Sequence, residues 1–403
     1  MTLSENLPIV EVGPVAHGGH CVARLDGQVV FVRHALPGER VRIRVTEKNK
    51  RFLRADAVEV LDAAPGRVPA PCRWAGECGG CDFQHASAVT QRELLTAVVR
   101  EQLERLAGLA WEGEVEAVVP EDIGWRTRVT WAVDTTGRAG LRRHRSHEVV
   151  PVDRCLIAHP DLPMVTDQVW DDRSVEAIIS STGERLLVTD ASISDAMESR
   201  IDGVVARDGT VRAGSGRLTE RARERDFQVT GSGFWQVHPA AATTLVGAVL
   251  AGAGVRTGDR VVDLYAGVGL FTAFLATEAG TTGSVVWVEA DRGAAADARQ
   301  NLADLPTVEI VPLRTEQALR TSALGERADV VVLDPPRTGA KQAVPGIAAL
   351  GARTIVYVAC DPAALARDLA TFAEHGYAMQ SLRAFALFPM THHVECVAVL
   401  APA

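Results

Sequence analysis

Near-continuous apolar runs alternate with helix-like segments in the C-terminal part of the chain. The apolar runs are Arg260–Leu264, Ser284–Val288, Val308–Pro312, Asp329–Leu333, Thr354–Ala359 and Val394–Leu400. Strands that are apolar throughout and separated by helices are typical of a parallel, doubly wound sheet that is buried on both faces. Such sheets bind ligands at the carboxyl ends of their strands. We therefore predict a Rossmann-like α/β domain over residues 230–403, with its functional residues at one edge of the sheet.

Short strand-like runs separated by turns make up residues 1–62. In Arg40–Val45, apolar positions alternate with three arginines, as in a strand with one buried face. The dipeptides Gly18-Gly19 and Pro37-Gly38 mark turns between the strands. This pattern predicts a small, closed or nearly closed β-barrel of the OB-like kind, with a basic face that can hold nucleic acid.

A proline-rich segment, residues 65–71, follows the barrel and marks a domain boundary. Beyond it, apolar residues at helical spacing predict an amphipathic helix over residues 88–109 that ends at Gly108 and can pack on a later domain. Residues 115–229 are strand-rich, which predicts a mostly antiparallel sheet. We assign residues 63–229 to a central α+β domain.

Composition changes this picture mainly through charge. The net charge of −9 argues against a nucleic-acid partner, but two segments are locally basic. Between Arg33 and Arg54 there are eight Lys or Arg against two Glu, and between Arg126 and Arg145 there are six against one Asp. Two basic patches in an acidic chain indicate surfaces that meet phosphate, so RNA is an expected partner. With no apolar run long enough to span a bilayer and no secretory signal at the N-terminus, we expect a cytoplasmic monomer without membrane contact.

Three of the seven cysteines, Cys72, Cys78 and Cys81, lie within ten residues, with glycines between them. Cysteines of a cytosolic protein are not expected to form disulfides, and this cluster indicates a metal or iron–sulfur site. The fourth ligand must come from a distance, and Cys155 is the best candidate because Cys21 lies in the barrel. Four thiolates suit either a [4Fe-4S] cluster or a structural zinc, and the spacing does not decide between them.

Cys360 follows the strand Thr354–Ala359 and precedes a helix that opens at Asp361-Pro362. The unpaired amide groups and the positive dipole end of a helix favour an anion. We therefore predict that the thiol of Cys360 is partly ionised and nucleophilic.

Three further strand ends carry candidate ligand-binding residues. Asp263–Gly269 contains Gly267 and Gly269, which let the backbone approach a ligand, but it lacks the third glycine of a dinucleotide motif and so favours S-adenosylmethionine over NAD. Glu289 ends the second strand, where an acidic side chain can bind ribose hydroxyls. Asp334-Pro335-Pro336-Arg337 ends the fourth strand and forms a rigid turn suited to a planar base beside the cofactor.

These parts together predict methylation of a pyrimidine. Carbon 5 of uracil is a poor nucleophile, and a thiolate that adds at carbon 6 would activate it. Cys360 is the candidate nucleophile. A carboxylate must then remove the proton from carbon 5, and Glu395 at the start of the last strand is the candidate base.

The motifs of the whole chain resemble those of bacterial class I RNA uracil-C5 methyltransferases with an N-terminal TRAM barrel and an iron–sulfur cluster, the group that makes 5-methyluridine in 23S ribosomal RNA. The matching motifs are Cys72-x5-Cys78-Gly-Gly-Cys81-x2-Gln84-His85, Phe234–His238, Asp263–Thr272, Asp334–Arg337, Ala359–Pro362 and His393–Glu395. The resemblance implies a [4Fe-4S] cluster rather than zinc, with Cys155 as its fourth ligand. It also implies cofactor contacts at Gln236, Asp263, Tyr265, Gly267, Gly269, Glu289 and Asp334, and substrate contacts at Asp334, Pro335 and Arg337.

Several residues depart from the family motifs. Tyr265-Ala266 replaces Phe-Cys, Leu270 replaces a frequent Asn, His238 replaces Asn, and Ala359 replaces Ser. The first three of these replacements affect individual cofactor contacts, and none of the four removes a catalytic group.

Other substrates and one other class of function stay open. The same chemistry could act on transfer RNA instead of 23S ribosomal RNA. A cytosine-C5, amino-group or small-molecule methyltransferase is a further alternative, although the amino-group enzymes need no cysteine. A non-catalytic RNA-binding or redox-sensing protein would tolerate changes at Cys360 and Glu395. Because methyl transfer requires no electron, we expect the cluster to have a structural or RNA-positioning role.

Overall fold

The computed structural model describes residues 7–403. Its N-terminal part contains five strands: β1 (Ile9–Glu11), β2 (Cys21–Leu25), β3 (Gln28–Arg33), β4 (Arg40–Lys48) and β5 (Phe52–Asp62). They form one sheet in the order β1-β4-β5-β3-β2. The two edges of this sheet meet, because the amide of Gly13 donates to the carbonyl of Val22 (2.7 Å) and the amide of Val22 donates to that of Pro14 (2.9 Å). The result is the nearly closed barrel that the alternating pattern predicts.

Acidic residues on β5 neutralise much of the predicted basic face of the barrel. Arg40 Nε lies 2.7 Å from Asp62 Oδ2, and Arg42 Nε lies 2.8 Å from Glu59 Oε2. Within residues 7–403, three exposed basic residues at the β4–β5 turn form no ion pair, namely Lys48, Lys50 and Arg51. These three residues therefore form a basic cluster at this turn, while the exposed Arg24 and Arg44 lie elsewhere on the barrel.

Helix α1 (Ala88–Ala107) connects the barrel to the rest of the chain. It begins where the Oγ of Ser87 accepts a hydrogen bond from the amide of Thr90 (3.2 Å), and it ends at Gly108, whose φ of 65° closes the last turn. Its apolar stripe is buried in the same core as the helix Pro362–Glu374 of the C-terminal region. The helix thus packs on the C-terminal domain, although it precedes the central sheet in sequence.

The central sheet has seven strands: β7 (Arg128–Val133), β8 (Ala139–Arg142), β9 (Val149–Val150), β10 (Ser174–Ile179), β11 (Arg185–Val188), β12 (Gly203–Val205) and β13 (Val211–Gly214). Their order is β13-β12-β11-β10-β7-β8-β9, and every pair is antiparallel except β11 with β12. A 3-10 turn (Val165–Asp167) and the short helix α2 (Asp195–Glu198) lie in its connections. The mostly antiparallel sheet agrees with the strand-rich sequence of this region.

A hairpin, β14 (Arg217–Ala222) and β15 (Arg225–Thr230), leads into the C-terminal domain. Phe227 and Val229 lie in the same core as the following helix α3 (Ala241–Ala253). The amide of Thr230 donates to Asp297 Oδ2 (2.8 Å) of the C-terminal domain. The hairpin therefore packs with the domain that follows it, while the domain boundary at residue 229 stays a prediction.

The C-terminal sheet has eight strands in the order β18-β17-β16-β19-β20-β22-β21-β6. The strands are β6 (Val115–Glu116), β16 (Arg260–Leu264), β17 (Ser284–Val288), β18 (Val308–Val311), β19 (Val330–Leu333), β20 (Thr354–Ala359), β21 (Tyr377–Phe385) and β22 (Glu395–Pro402). The helices around it are α3, α4 (Leu270–Ala279), α5 (Arg292–Asn301), α6 (Thr315–Ala318), α7 (Val344–Ala349) and α8 (Pro362–Glu374), with a 3-10 turn at Ser322–Leu324. No helix among residues 7–403 is both long and apolar enough to cross a bilayer.

The prediction that all strands of this sheet are parallel is wrong for β22. Strands β16 to β20 are parallel, but β22 is antiparallel to both β20 and β21. The connection 386–394 between β21 and β22 contains no helix, and a parallel return would need a long crossover. The antiparallel direction brings the start of β22 to the edge where the parallel strands end.

Candidate active site

The candidate residues of the C-terminal domain collect at one edge of its sheet. They are Asp263 and Tyr265 at the end of β16, Glu289 after β17, Asp334 to Arg337 after β19, and Cys360 after β20. Glu395 is the first residue of β22, which starts at the same edge because it runs in the opposite direction. The fold thus brings together groups from five strands that are far apart in sequence.

The loop between β16 and α4 turns sharply at this edge. Tyr265, Gly267 and Gly269 have positive φ angles of 59°, 52° and 93°. No atom of the described residues lies within 4 Å of the position that a Cβ on Gly267 would occupy, so this side of the loop has room for a ligand. Trp287 Nε1, from the neighbouring strand β17, donates a hydrogen bond to the carbonyl of Gly267 (3.0 Å) and fixes the loop on the sheet.

Two acidic side chains beneath this loop have raised pKa values. Asp263 is fully buried, and its Oδ2 accepts a hydrogen bond from Thr272 Oγ1 (2.5 Å). Its Oδ1 is buried without a partner in the described part of the chain. Burial raises the pKa of Asp263 to about 7, and burial together with the charge of Asp263 raises that of Asp334 to about 7. An ammonium or hydroxyl donor of a ligand would satisfy the free oxygen and favour the ionised form.

The sheet register places Cys360 opposite Glu395. Ala359 of β20 pairs with Cys396 of β22 in antiparallel register, so the next pair along is Cys360 with Glu395. Directly opposed residues of an antiparallel pair project their side chains from the same face of the sheet. The candidate nucleophile and the candidate base are therefore neighbours.

The expectation that the thiol of Cys360 is partly ionised is wrong for the ligand-free protein. Burial, followed by the charges of Glu395 and Asp334, raises its pKa to about 11. The helix that we expected to stabilise the thiolate, α8, is capped by Asp361, whose Oδ1 accepts a hydrogen bond from the amide of Ala364 (2.7 Å). This carboxylate already occupies the positive end of the helix. At neutral pH the thiol is protonated.

The surroundings of Glu395 also favour its neutral form. Its side chain is 3% exposed, and burial and the charge of Asp334 raise its pKa well above the ordinary value. Arg337 acts in the opposite direction on the pKa values of both Glu395 and Cys360. The Arg337 guanidinium is thus the positive group that both acidic side chains share.

Glu289 and Gln236 lie at the periphery of this edge. Glu289 Oε1 accepts hydrogen bonds from the amides of Ala290 (2.6 Å) and Asp291 (2.9 Å), which orients the carboxylate. Gln236 lies two residues after Phe234, whose side chain is 70% exposed. Its neighbour Val237 packs with Phe388 from the connection that leads to Glu395. Within residues 7–403, no further contact defines a role for Gln236.

All four predicted cluster cysteines line one cavity of about 330 Å³ in the central region, and they are Cys72, Cys78, Cys81 and Cys155. Burial, together with the neighbouring Cys155 and Cys78, raises the pKa of Cys81 to about 12. Among residues 7–403, no three metal-ligating side chains converge closely enough to hold a single metal ion. The cavity therefore provides four thiols around a space rather than a ready tetrahedral site.

Two contacts that sequence reasoning missed connect other parts of the chain to this edge. His17 Nε2 of the barrel lies 3.0 Å from Asp361 Oδ2, next to Cys360. His392 Nδ1 lies 2.6 Å from Asp82 Oδ2, next to Cys81. Each joins residues more than 300 positions apart. The only sequence signal for Asp82 and Asp361 is that each directly follows a cysteine predicted to be a site residue.

The strand order of the C-terminal sheet and the glycine loop after β16 define a Rossmann-like methyltransferase. The N-terminal barrel is an appended TRAM-type domain. Residues 9–58 match the TRAM domain family, and residues 215–402 match the tRNA (Uracil-5-)-methyltransferase family. The chain belongs to a family of RNA methyltransferases, as its full-length relatives show.

Full-length relatives agree with this family. The chain is 49% identical to an "uncharacterized RNA methyltransferase" of Streptomyces avermitilis, with 98% of each chain covered. It is also 49% identical to a Streptomyces coelicolor protein of the same description, covering 98% of this chain and 92% of the relative. Among solved structures, the Pyrococcus abyssi tRNA (uracil-54, C5)-methyltransferase in complex with S-adenosyl-L-homocysteine has the same fold, with a TM-score of 0.72, 23% identity, and 97% and 99% of the two chains covered.

Proposed function

We propose that the protein forms 5-methyluridine in RNA, with Cys360 as the nucleophile and Glu395 as the base that removes the proton from carbon 5. The observation that carries this proposal is the antiparallel register that sets Cys360 opposite Glu395 at the ligand-binding edge of the sheet. A structural cysteine would have no need of a buried carboxyl group beside it. A thiol that must be added to a ring and later eliminated requires one.

Each residue at the edge has a role in this reaction. S-adenosylmethionine supplies the methyl group as a sulfonium. Asp263 offers its unpartnered Oδ1 to the cofactor, and Glu289 faces the ribose. Asp334 and Pro335 hold the uracil ring beside the Tyr265–Gly269 loop. Gln236 contributes a further cofactor contact.

Proton movement follows from the raised pKa values. Cys360 must lose its proton to solvent water before its sulfur bonds to carbon 6 of uracil. Electron density then moves onto carbon 5, which takes the methyl group. Glu395, once ionised, accepts the proton from carbon 5, and the restored double bond expels the Cys360 thiolate. Arg337 favours both anions, because its charge lowers the pKa of each group.

The pKa of Cys360 predicts how covalent bond formation depends on pH. RNA with 5-fluorouridine at the target position should trap the protein, because fluorine cannot be removed as a proton. With a thiol pKa of about 11, the thiolate fraction rises with pH throughout the neutral range. We expect the trapping rate to increase about tenfold per unit between roughly pH 7 and 9. A rate that is constant over this range, measured by denaturing gel, would show that bound RNA ionises the thiol by another route.

We propose that the four cysteines around the central cavity hold a [4Fe-4S] cluster. Four half-buried thiols are the soft ligands that such a cluster uses, and a cavity of about 330 Å³ leaves space for a body larger than one ion. The choice of a cluster over structural zinc rests on the resemblance of the cysteine motif to that of the iron–sulfur enzymes. The cluster would cross-link the segment 72–81 to Cys155, next to the core of the central region.

Metal analysis of anaerobically purified protein tests this assignment. We expect about four iron atoms and four sulfides per chain. Cys155→Ser should lose most of the iron, whereas Cys21→Ser, at a buried thiol of the barrel, should retain it. Stoichiometric zinc with no acid-labile sulfide would contradict the cluster.

We propose 23S ribosomal RNA as the substrate, on the resemblance of the cluster motif, with transfer RNA as the alternative. The unpaired basic turn of Lys48, Lys50 and Arg51 is the part of the barrel best suited to the RNA backbone. A monomer would suffice, since every group that the reaction needs comes from one chain.

Mass mapping of 5-methyluridine in ribosomal and transfer RNA, from cells with and without the gene, tests the function. We expect one site to be lost from 23S ribosomal RNA and restored by the wild-type gene. Loss of a site from transfer RNA instead would keep the chemistry and change the substrate. No lost site in either pool would contradict the proposed function.

A further inference from the structure

The connection 386–394, which we call the Glu395 loop, is held by residues from three other parts of the chain. Met390 in this loop has a positive φ of 67°, which is unfavourable for a side chain with a Cβ. Gln91 Oε1 of α1 accepts a hydrogen bond from the amide of Met390 (2.8 Å). The amides of Asp82 and Phe83 both donate to the Met390 carbonyl, at 2.8 and 2.9 Å. The strained turn is therefore fixed from outside the C-terminal domain.

The side chain of Asp82 makes a second set of contacts with the same loop, two residues after Met390. Its Oδ2 accepts a hydrogen bond from the amide of His392 (3.1 Å) and lies 2.6 Å from His392 Nδ1. The ring of His392 in turn lies against that of His393, with centroids 4.2 Å apart. His393 is two residues before Glu395 and is close enough to Arg337 for the two side chains to interact electrostatically. A single carboxylate thus fixes the backbone and the ring that precede the base.

The barrel also packs against the contact between Asp82 and His392. A Cβ on Gly19 would lie 2.7 Å from His392 Cβ, 3.3 Å from Phe83 Cζ and 3.5 Å from Asp82 Cβ. Gly19, with a φ of 79°, is therefore packed directly on the Asp82–His392 pair. The pair lies where the barrel, the segment after Cys81 and the Glu395 loop meet.

We propose that Asp82 is a positioning residue for the proton-removal step: it fixes the Glu395 loop and, through it, the carboxyl group of Glu395. This inference rests on the proposed function and extends it. It also gives the cysteine segment a role in the reaction, because Asp82 directly follows Cys81 and its position depends on that of Cys81. Asp82 does not touch the uracil or the cofactor in this account. It acts only on the geometry of the base.

The proposal predicts that a change at Asp82 affects one step of the reaction and not another. Addition of Cys360 to the ring does not require Glu395 in its proper place, whereas proton removal does. Asp82→Ala should therefore lower kcat about tenfold or more, leave the KM for RNA within about twofold, and accumulate a covalent complex on natural RNA. Asp82→Asn keeps one oxygen to accept from the His392 amide, so it should restore a large part of kcat and reduce the complex.

Asp153→Ala is the matched control. Asp153 is two residues before Cys155, and its partners are Arg73 and Trp74 rather than the Glu395 loop. We expect this variant to show wild-type kcat and no covalent complex on natural RNA. The visible absorbance of the cluster should be the same in Asp82→Asn, Asp153→Ala and the wild type, so that cluster loss does not explain a difference.

Trapping by 5-fluorouridine RNA distinguishes the possible failures. Wild type that is not trapped would overturn the proposed function itself. Asp82→Ala that is trapped at the wild-type rate but accumulates no complex on natural RNA would overturn only the role of Asp82. An increase in KM alone would assign Asp82 to RNA binding instead. Loss of trapping in both Asp82→Ala and Asp82→Asn would assign it to folding and also contradict the proposal.

Discussion

Glu395→Gln should leave the protein covalently attached to its natural RNA. The amide cannot accept the proton from carbon 5, so the methylated ring cannot expel Cys360. Addition and methyl transfer still proceed, because neither step uses the carboxylate as a base. We expect turnover to fall by about 10² to 10⁴-fold, the usual effect of losing a general base.

A denaturing gel with labelled RNA measures this complex directly. Glu116→Gln is the matched control, because Glu116 belongs to the same sheet but is paired with the exposed Arg383 (2.7 Å). It should turn over normally and give no stable complex. A Glu395→Gln variant that is inactive but free of RNA would show that Glu395 acts before the methyl group is transferred.

Cys360→Ala should abolish methylation. Without the sulfur, carbon 5 of uracil remains too weak a nucleophile to take a methyl group, and no neighbouring group can replace the thiolate. We expect a loss of about four orders of magnitude or more, as when the nucleophile of a covalent mechanism is removed. Transfer of radiolabelled methyl groups to RNA provides the measurement.

Cys396→Ala provides the comparison for this loss. Cys396 is fully buried, adjacent to Glu395 in sequence, and alternation along β22 directs its side chain to the opposite face. Its replacement should affect stability more than turnover. Equal loss in the two variants would mean that the effect of Cys360→Ala comes from packing.

The edge of the C-terminal sheet could be predicted from sequence because its signals are local. Strands β16, β17 and β20 have the predicted bounds, since their apolar residues are continuous and buried on both faces. The residues that follow them, such as Asp263 and Cys360, therefore fall at one edge by the geometry of a parallel sheet. Strand β21 was missed because its exposed middle, around Gln380 and Ser381, interrupts the apolar pattern.

Properties that depend on distant residues could not be predicted. The pKa of Cys360 was expected to be low from the helix that follows it, but the cap by Asp361 and the charges from Glu395 and Asp334 reverse the effect. Similarly, nothing in the local sequence indicates that Asp82 contacts His392, 310 positions later. The pairing of basic residues on β4 with acids on β5 also arises only from the fold.

Mass spectrometry of the complex with 5-fluorouridine RNA tests the central claim most directly. After digestion of protein and RNA, the account predicts one modified peptide, with the nucleotide on the sulfur of Cys360, and no such product from Cys360→Ala. Attachment at another residue, or no attachment by a preparation that methylates natural RNA at its full rate, would contradict it.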